Sequence, residues 1–312
     1  MKLVVPNTID LVSSSVVENE YAAWSPSTAY NPDDCCVYAH YIYKCVTANT
    51  GKQPDKNTNA ISGVWRTVGA TNQWAMFDDA VSTQTVAPPG ADALVVTVAF
   101  DYADCIGLMN IVGESVTFEV FDAGQTEPYY SKTFSLVQDT TNFRDFFYSP
   151  IERTSDITYT FSDIVNSGIP IGVPGSTLRV TLKLTGGGAS VGHTVIGLAR
   201  GIGQTQFDAT AGTKTYSKRV EDEYGNLTII PRRVVKKVSC KVHVETMQSD
   251  IIAKLLSKID IKPALFLADD RDTFEGGYEM LVIYGTKSDH EFSLNPDGMS
   301  IDILNISIEG VA

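Results

Sequence analysis

Alternation of apolar and polar residues at period two is the feature that most constrains this chain. In SVTFEVFD, residues 115–122, Val116, Phe118 and Val120 alternate with Thr117 and Glu119. That spacing puts the apolar side chains on one face of a half-exposed extended strand. ALVVTVAFDY, YYSKTFSL and STLRVTLKLTG are further strand-length runs of β-branched and aromatic residues, separated by Gly, Asp and Pro. Several such strands between residues 80 and 205 predict a β-sandwich or jelly roll. Gly186–Gly188, Gly197, Gly201 and Gly203 read as turn positions. GLARGIG is not a phosphate loop, because no helix with a lysine follows it.

The pattern changes from about residue 206. VVKKVSCKVHVE sets Val238, Cys240, Val242 and Val244 against Lys237, Ser239, Lys241 and His243. MQSDIIAKLLSKI has helical spacing, with Ile251, Ile252, Leu255, Leu256 and Ile259 as its apolar side and Ser249 or Asp250 as its cap. Strands are expected in PALFLAD, YEMLVIYG and SIDILNISIEG. Residues 206–312 are therefore expected to form an α+β domain with one helix on a sheet. The connector TYSKRVEDEYGNLTIIPRR predicts a long hairpin around Tyr224, Gly225 and Asn226. Lys236, Lys237 and Lys241 form a local basic strand, either a docking face or a solvated one.

Residues 1–79 differ in kind. All the tryptophans of the chain, Trp24, Trp65 and Trp74, lie there. Residues 1–20 read as an arm or a short strand. The stretch Cys36 to Val46 fits a hairpin turning at Ala39 and His40, with Tyr41, Tyr43 and Cys45 on one face and Ile42, Lys44 and Val46 on the other. The polar loop TANTGKQPDKNTNAISG follows as an ordered surface segment. The overall expectation is a mainly β chain in three units: 1–79, 80–205 and 206–312.

Composition narrows the function. The net charge of −13 disfavours non-specific nucleic-acid binding, although 13 of the 24 basic residues lie after residue 200. No apolar run approaches the roughly 20 residues that span a bilayer. The start, MKLVVPNTIDLVSSS, is not patterned as a signal peptide. The five cysteines, Cys35, Cys36, Cys45, Cys105 and Cys240, show no C-x-x-C or zinc spacing and are expected as free thiols. His40, His193, His243 and His290 are scattered, and no nucleophile elbow, P-loop or metal motif appears. No catalytic residue, metal site or cofactor is expected. Two acidic clusters stand out. Asp78 and Asp79 follow Trp74-Ala75-Met76-Phe77. The Asp269–Glu275 loop, with Asp270 and Asp272, is open to two readings, a solvated turn or a Ca²⁺ loop without EF-hand alternation.

The N-terminal segment carries a resemblance. Ala23-Trp24, Tyr30, Val37-Tyr38, Tyr41, Tyr43, Gly51, Pro54 and Trp65 follow the order of the small chitin-binding-type carbohydrate module of bacterial chitinases. The resemblance implies a short three-stranded β module that stacks sugars on aromatic rings. Thr47-Ala48 stand where those modules carry a Trp-Trp pair, and Ala39-His40 replace the usual glycine turn. Trp24, Tyr43 and Trp65 are expected as the module core. Tyr30, Tyr38, His40 and Tyr41 are expected to be exposed and are the glycan-contact candidates. The continuation T-N-Q-W-A-M-F-D-D, followed by T-Q-T at 83–85, is similar to tail and baseplate proteins of tailed bacteriophages, which place such a module ahead of a β-sandwich. Trp74, Met76 and Phe77 are then the interdomain junction.

That resemblance implies a non-enzymatic part of a phage tail tip or baseplate, made in the host bacterial cytoplasm and carried in the virion. Its partners would be other tail proteins, copies of itself and host-surface polysaccharide, with no nucleic acid and no membrane insertion. A stand-alone carbohydrate-binding adhesin is the alternative, with a glycan-degrading enzyme behind it.

Overall fold

A computed structural model describes the chain except for residues 60–62, 101, 138–151, 162–174, 208, 222, 226, 260–261, 270, 296–299 and 312. The fold is mainly β, and among the described residues a single α-helix, Thr246–Lys258, accompanies antiparallel sheets. A five-stranded sheet runs Tyr130–Ser135, Ser115–Phe121, Thr177–Lys183, Ala93–Ala99 and Asp10–Ser14. Its alternating residues, among them Leu94, Val96, Val116, Phe118, Val120, Leu178 and Val180, share a core with Ile106, Leu108, Ile157, Tyr159 and Ile196 of a second sheet. Two sheets facing each other across one apolar layer make the sandwich that the period-two runs imply.

The second sheet is larger. Its order is Ile157–Thr160, Cys105–Met109, His193–Gly201, Lys2–Pro6, Ala264–Leu267, Val282–Ser293, Ile301–Gly310, Val234–Glu245 and Gln204–Thr205, with Thr210–Thr215 also paired to Val234–Glu245. The strand Lys2–Pro6 is the link. It pairs with His193–Gly201 on one side and with Ala264–Leu267 on the other. Residues expected as an arm or short strand therefore join strands from the middle and the end of the chain. Alternation then sends successive side chains to opposite faces. Leu3 enters the core with the helix, and Val4 enters the core of the other face with Val195, Leu265 and Tyr284.

The helix packs Ile252, Leu256 and Ile259 against Val238, Cys240 and Val242. Two details of its sequence reading change. Ile251, expected on the apolar side, is 66% exposed. Neither Ser249 nor Asp250 caps the helix: the cap position is Glu245, which makes no side-chain cap bond. Tertiary contacts take over that role. The Thr246 N–H donates to the Ser300 carbonyl, and buried Ser249 donates from Oγ to Asp302 Oδ2 at 2.6 Å. The Ser249 hydrogen bond foremost, and then one donated by the Asn295 N–H, hold the Asp302 carboxyl below its usual range. Gly197 and Gly201, expected at turns, lie inside the strand His193–Gly201. A Cβ on Gly197 would come within 2.3 Å of the Val5 carbonyl oxygen, so the glycine admits the N-terminal strand.

Candidate functional site

The N-terminal module is built on the hairpin Cys35–Tyr38 and Tyr41–Cys45 with Trp65–Ala70 alongside. Its turn residues, Ala39 and His40, have φ of 48° and 68°. Two successive positive φ values characterise the turn type that matches strand twist in two-residue hairpins. Neither residue is glycine, so the turn holds strained backbone, which clusters at functional or over-determined positions.

The hairpin register places Cys36 opposite Tyr43 and Tyr38 opposite Tyr41. These four side chains share a face. At its inner end Cys36, Tyr43 and Cys45 pack with Trp65 and Tyr30. Trp65 is fully enclosed, and its indole N–H donates to the Lys52 carbonyl at 2.8 Å. Tyr30, expected to be exposed, is buried: its ring meets Trp65 edge-on at 5.1 Å, and its Oη accepts from the Ser25 N–H. A module with so little apolar material draws the Tyr30 ring into its core, which removes it from the contact surface.

At the outer end the face opens. Tyr38 is half-buried beneath an edge-on contact with Trp24 at 5.6 Å. Its Oη accepts from the Gln53 side-chain amide at 2.6 Å. Tyr41, beside it, is 40% exposed. Gln53, which carried no signal in the sequence apart from its place before Pro54, thus supplies an amide next to the aromatic pair. An apolar ring face beside an oriented amide is the combination that sugar recognition uses.

His40 lies at the joint behind the module. Its ring stacks on Trp74 at 4.0 Å and 25°. Its Nδ1 lies 3.3 Å from both Glu18 carboxylate oxygens, and Glu18 also accepts from Thr71 Oγ1 at 2.8 Å. Trp74 meets Phe77 edge-on, Phe77 packs on the sandwich core, and Met76 is buried within that core. Trp74, Met76 and Phe77 therefore run from the module turn into the sandwich. Glu20, which sequence reasoning missed, accepts from the Asn72 N–H in the same joint.

The acidic loop near the C-terminus is not a solvated turn. Asp272 is 4% exposed and accepts from the Thr160 N–H at 2.9 Å and from Thr160 Oγ1 at 3.0 Å. Phe274 stacks on Phe134 at 4.0 Å. Glu279 accepts from the backbone N–H groups of Ser155 and Asp156, both at 3.0 Å, and from Ser155 Oγ. The loop clasps the sandwich edge. Asp269 instead pairs with Arg271, whose hydrogen bond holds its carboxyl below the usual range. Among the described residues no cluster of His, Cys, Asp and Glu is arranged to hold a metal ion.

The basic strand divides. Lys236, expected as a docking residue, is half-buried and pairs with Asp156, which is 7% exposed. Lys237 and Lys241 stay on the exposed face. The Lys236–Asp156 pair lines a cleft of about 390 Å³ with Val81, Met109, Val234 and Val282. Tyr284 also lines it, and its Oη lies 3.4 Å from an Asp79 carboxylate oxygen. Behind Tyr284 sits buried His193, whose ring lies 4.2 Å away. Burial brings the His193 imidazole down to about 4, against an opposing pull from Asp79. All the cysteines are free thiols, and burial pushes Cys36 and Cys240 up to about 11. No helix among the described residues is long and apolar enough to cross a membrane. Compared with protein-family models and with curated proteins, the chain has no match.

Proposed function

We propose that the chain is a non-enzymatic structural component of a bacteriophage tail tip or baseplate, which turns its N-terminal module toward host-surface polysaccharide. The observation that carries this reading is the Tyr38–Tyr41 pair. Half-buried Tyr38 and exposed Tyr41 lie beside the Gln53 amide, on a module braced to the sandwich through His40, Trp74 and Met76. A braced aromatic surface transmits contact force to the rest of a particle, and stacking needs no chemistry beyond the rings. Synthesis in the host cytoplasm and carriage in the virion, beside other tail proteins and further copies of the chain, belong to the same reading.

Two measurements test it. Purified chain is titrated with envelope polysaccharide from candidate host bacteria by calorimetry, beside Tyr38→Ala and Tyr41→Ala. Binding that weakens at least tenfold in both variants supports the glycan contact, and equal binding by wild type and variants refutes it. Immunogold imaging of lysates then locates the protein. Label at particle tail ends supports the structural role, and label on free protein alone favours the adhesin.

A further inference from the structure

One feature of the C-terminal region lies outside that reading. The strands Thr210–Thr215 and Val234–Glu245 continue beyond the sheet as a two-stranded ribbon. Lys218–Glu221 pairs with Leu227–Ile230, from Lys218 opposite Ile230 to Glu221 opposite Leu227, as the sequence predicts. Every residue of these two strands is exposed. The register gives Lys218, Val220, Thr228 and Ile230 one face and Arg219, Glu221, Leu227 and Ile229 the other. Leu227 and Ile229 are 57% and 59% exposed, so the ribbon presents apolar surface to water. An isolated two-stranded ribbon is marginal in water by itself.

A second exposed apolar stripe lies at the other end of the same strand. The helix begins directly after Glu245, and its outer side carries Met247 and Ile251, 91% and 66% exposed. Met247, Ile251, Lys254 and Lys258 recur at helical spacing and share this side, with Asp250 next to them. The ribbon leaves from the Val234 end, and the helix starts at the Glu245 end. The intervening 12-residue strand separates the two by roughly 36 Å. The helix spans only about 18 Å of that distance on its way back, so its end stops short of the ribbon base.

Their charges run in complementary order. Along the ribbon, basic Lys218 and Arg219 at the base give way to acidic Glu221 and Glu223 toward the tip. That reversal takes about 10 Å from Lys218 to Glu221. Along the helix, acidic Glu245 and Asp250 give way to basic Lys254 and Lys258. Asp250 to Lys258 spans about 12 Å. The helix starts beside Glu245 and leads to Ala264, which lies level with Gly285 and Gly310 at the Val234 end of the strand, so it runs in the direction in which the ribbon projects. A translated second copy therefore sets ribbon base against helix start and ribbon tip against helix end.

We propose that the ribbon strands Lys218–Glu221 and Leu227–Ile230 of one copy dock along the Met247–Lys258 stripe of a second copy, head to tail. The contact joins two different surfaces, so it generates a closed ring or an open filament rather than a two-fold dimer. The inference does not rest on glycan binding or on a place in a phage particle.

The test uses the full chain and measures mass by sedimentation across a concentration series. Ile229→Glu disables the ribbon and Ile251→Glu disables the stripe. Both side chains are exposed, and circular dichroism checks that each variant keeps its fold. Wild type is expected to associate beyond a dimer, and each variant is expected to weaken association tenfold or more. An equimolar mixture of the two variants retains one intact ribbon and one intact stripe, so it should form a 1:1 dimer and stop there. Three results would overturn the proposal: a monomeric wild type, association unchanged by Ile229→Glu, or a mixture that remains monomeric.

Discussion

Replacing Leu3 by alanine tests whether the N-terminal strand holds the two halves of the large sheet together. Leu3 has no exposed surface and packs with Phe266, Ile283 and the helix residues Ile252 and Leu256. Its neighbours in the sheet come from opposite parts of the chain, Arg200 on one side and Phe266 on the other. Truncating a buried leucine loses transfer energy and leaves a cavity, for about 3 kcal/mol in a site that relaxes only partly. With an unfolding entropy of roughly 2 cal/mol/K per residue, that cost lowers the melting temperature of a chain this long by about 5 °C. Far-UV circular dichroism reads the sheets. Tryptophan fluorescence reads only the module and the joint, because Trp24, Trp65 and Trp74 all lie there. If the strand welds the parts into one cooperative unit, both signals shift together. Val12→Ala, on a strand residue 57% exposed, serves as the control and should change stability by less than about 0.5 kcal/mol. A Leu3→Ala protein melting within about 1 °C of wild type would refute the reasoning.

Three further outcomes follow from the same packing. Burial depresses the folded-state value of His193 to about 4, below the free imidazole value of about 6.5. The unfolded chain therefore takes up a proton that the folded one refuses. Stability from this residue is intact above pH 6.5 and declines as the pH falls toward 4, by on the order of 3 kcal/mol in total. Urea midpoints at pH 7 and pH 5 should show about 2 kcal/mol of that loss in wild type and a smaller one in His193→Gln. Gly197→Ala brings a Cβ within 2.3 Å of the Val5 carbonyl oxygen and should cost about 2 kcal/mol or more, seen as a lowered denaturation midpoint. Asp272→Ala strips Thr160 of the acceptor for its N–H and its Oγ1. It should destabilise by roughly 2 kcal/mol, with loosened amide-exchange protection along Ile157–Thr160 as the local readout.

The local features of this protein were legible in its residues. Alternation at Val116, Phe118 and Val120 identified both the strand and its buried face, because side-chain direction in a strand depends only on residue parity. The hairpin at Ala39–His40 and the ribbon strands Lys218–Glu221 and Leu227–Ile230 were legible for a related reason, since a short turn brings its flanking strands alongside each other. Tertiary structure decided the rest. Parity says which residues share a face and nothing about which strand lies alongside. Thus the insertion of Lys2–Pro6 between His193–Gly201 and Ala264–Leu267 could not be read from the residues. The same limit explains Tyr30, whose ring is buried because Trp65 arrives from a strand far along the chain. It explains Asp272 and Lys236 as well. Both read as surface charges, and both became structural when distant Thr160 and Asp156 met them. A charged residue's role depends on its partner, and in a sheet protein that partner is set by long-range pairing.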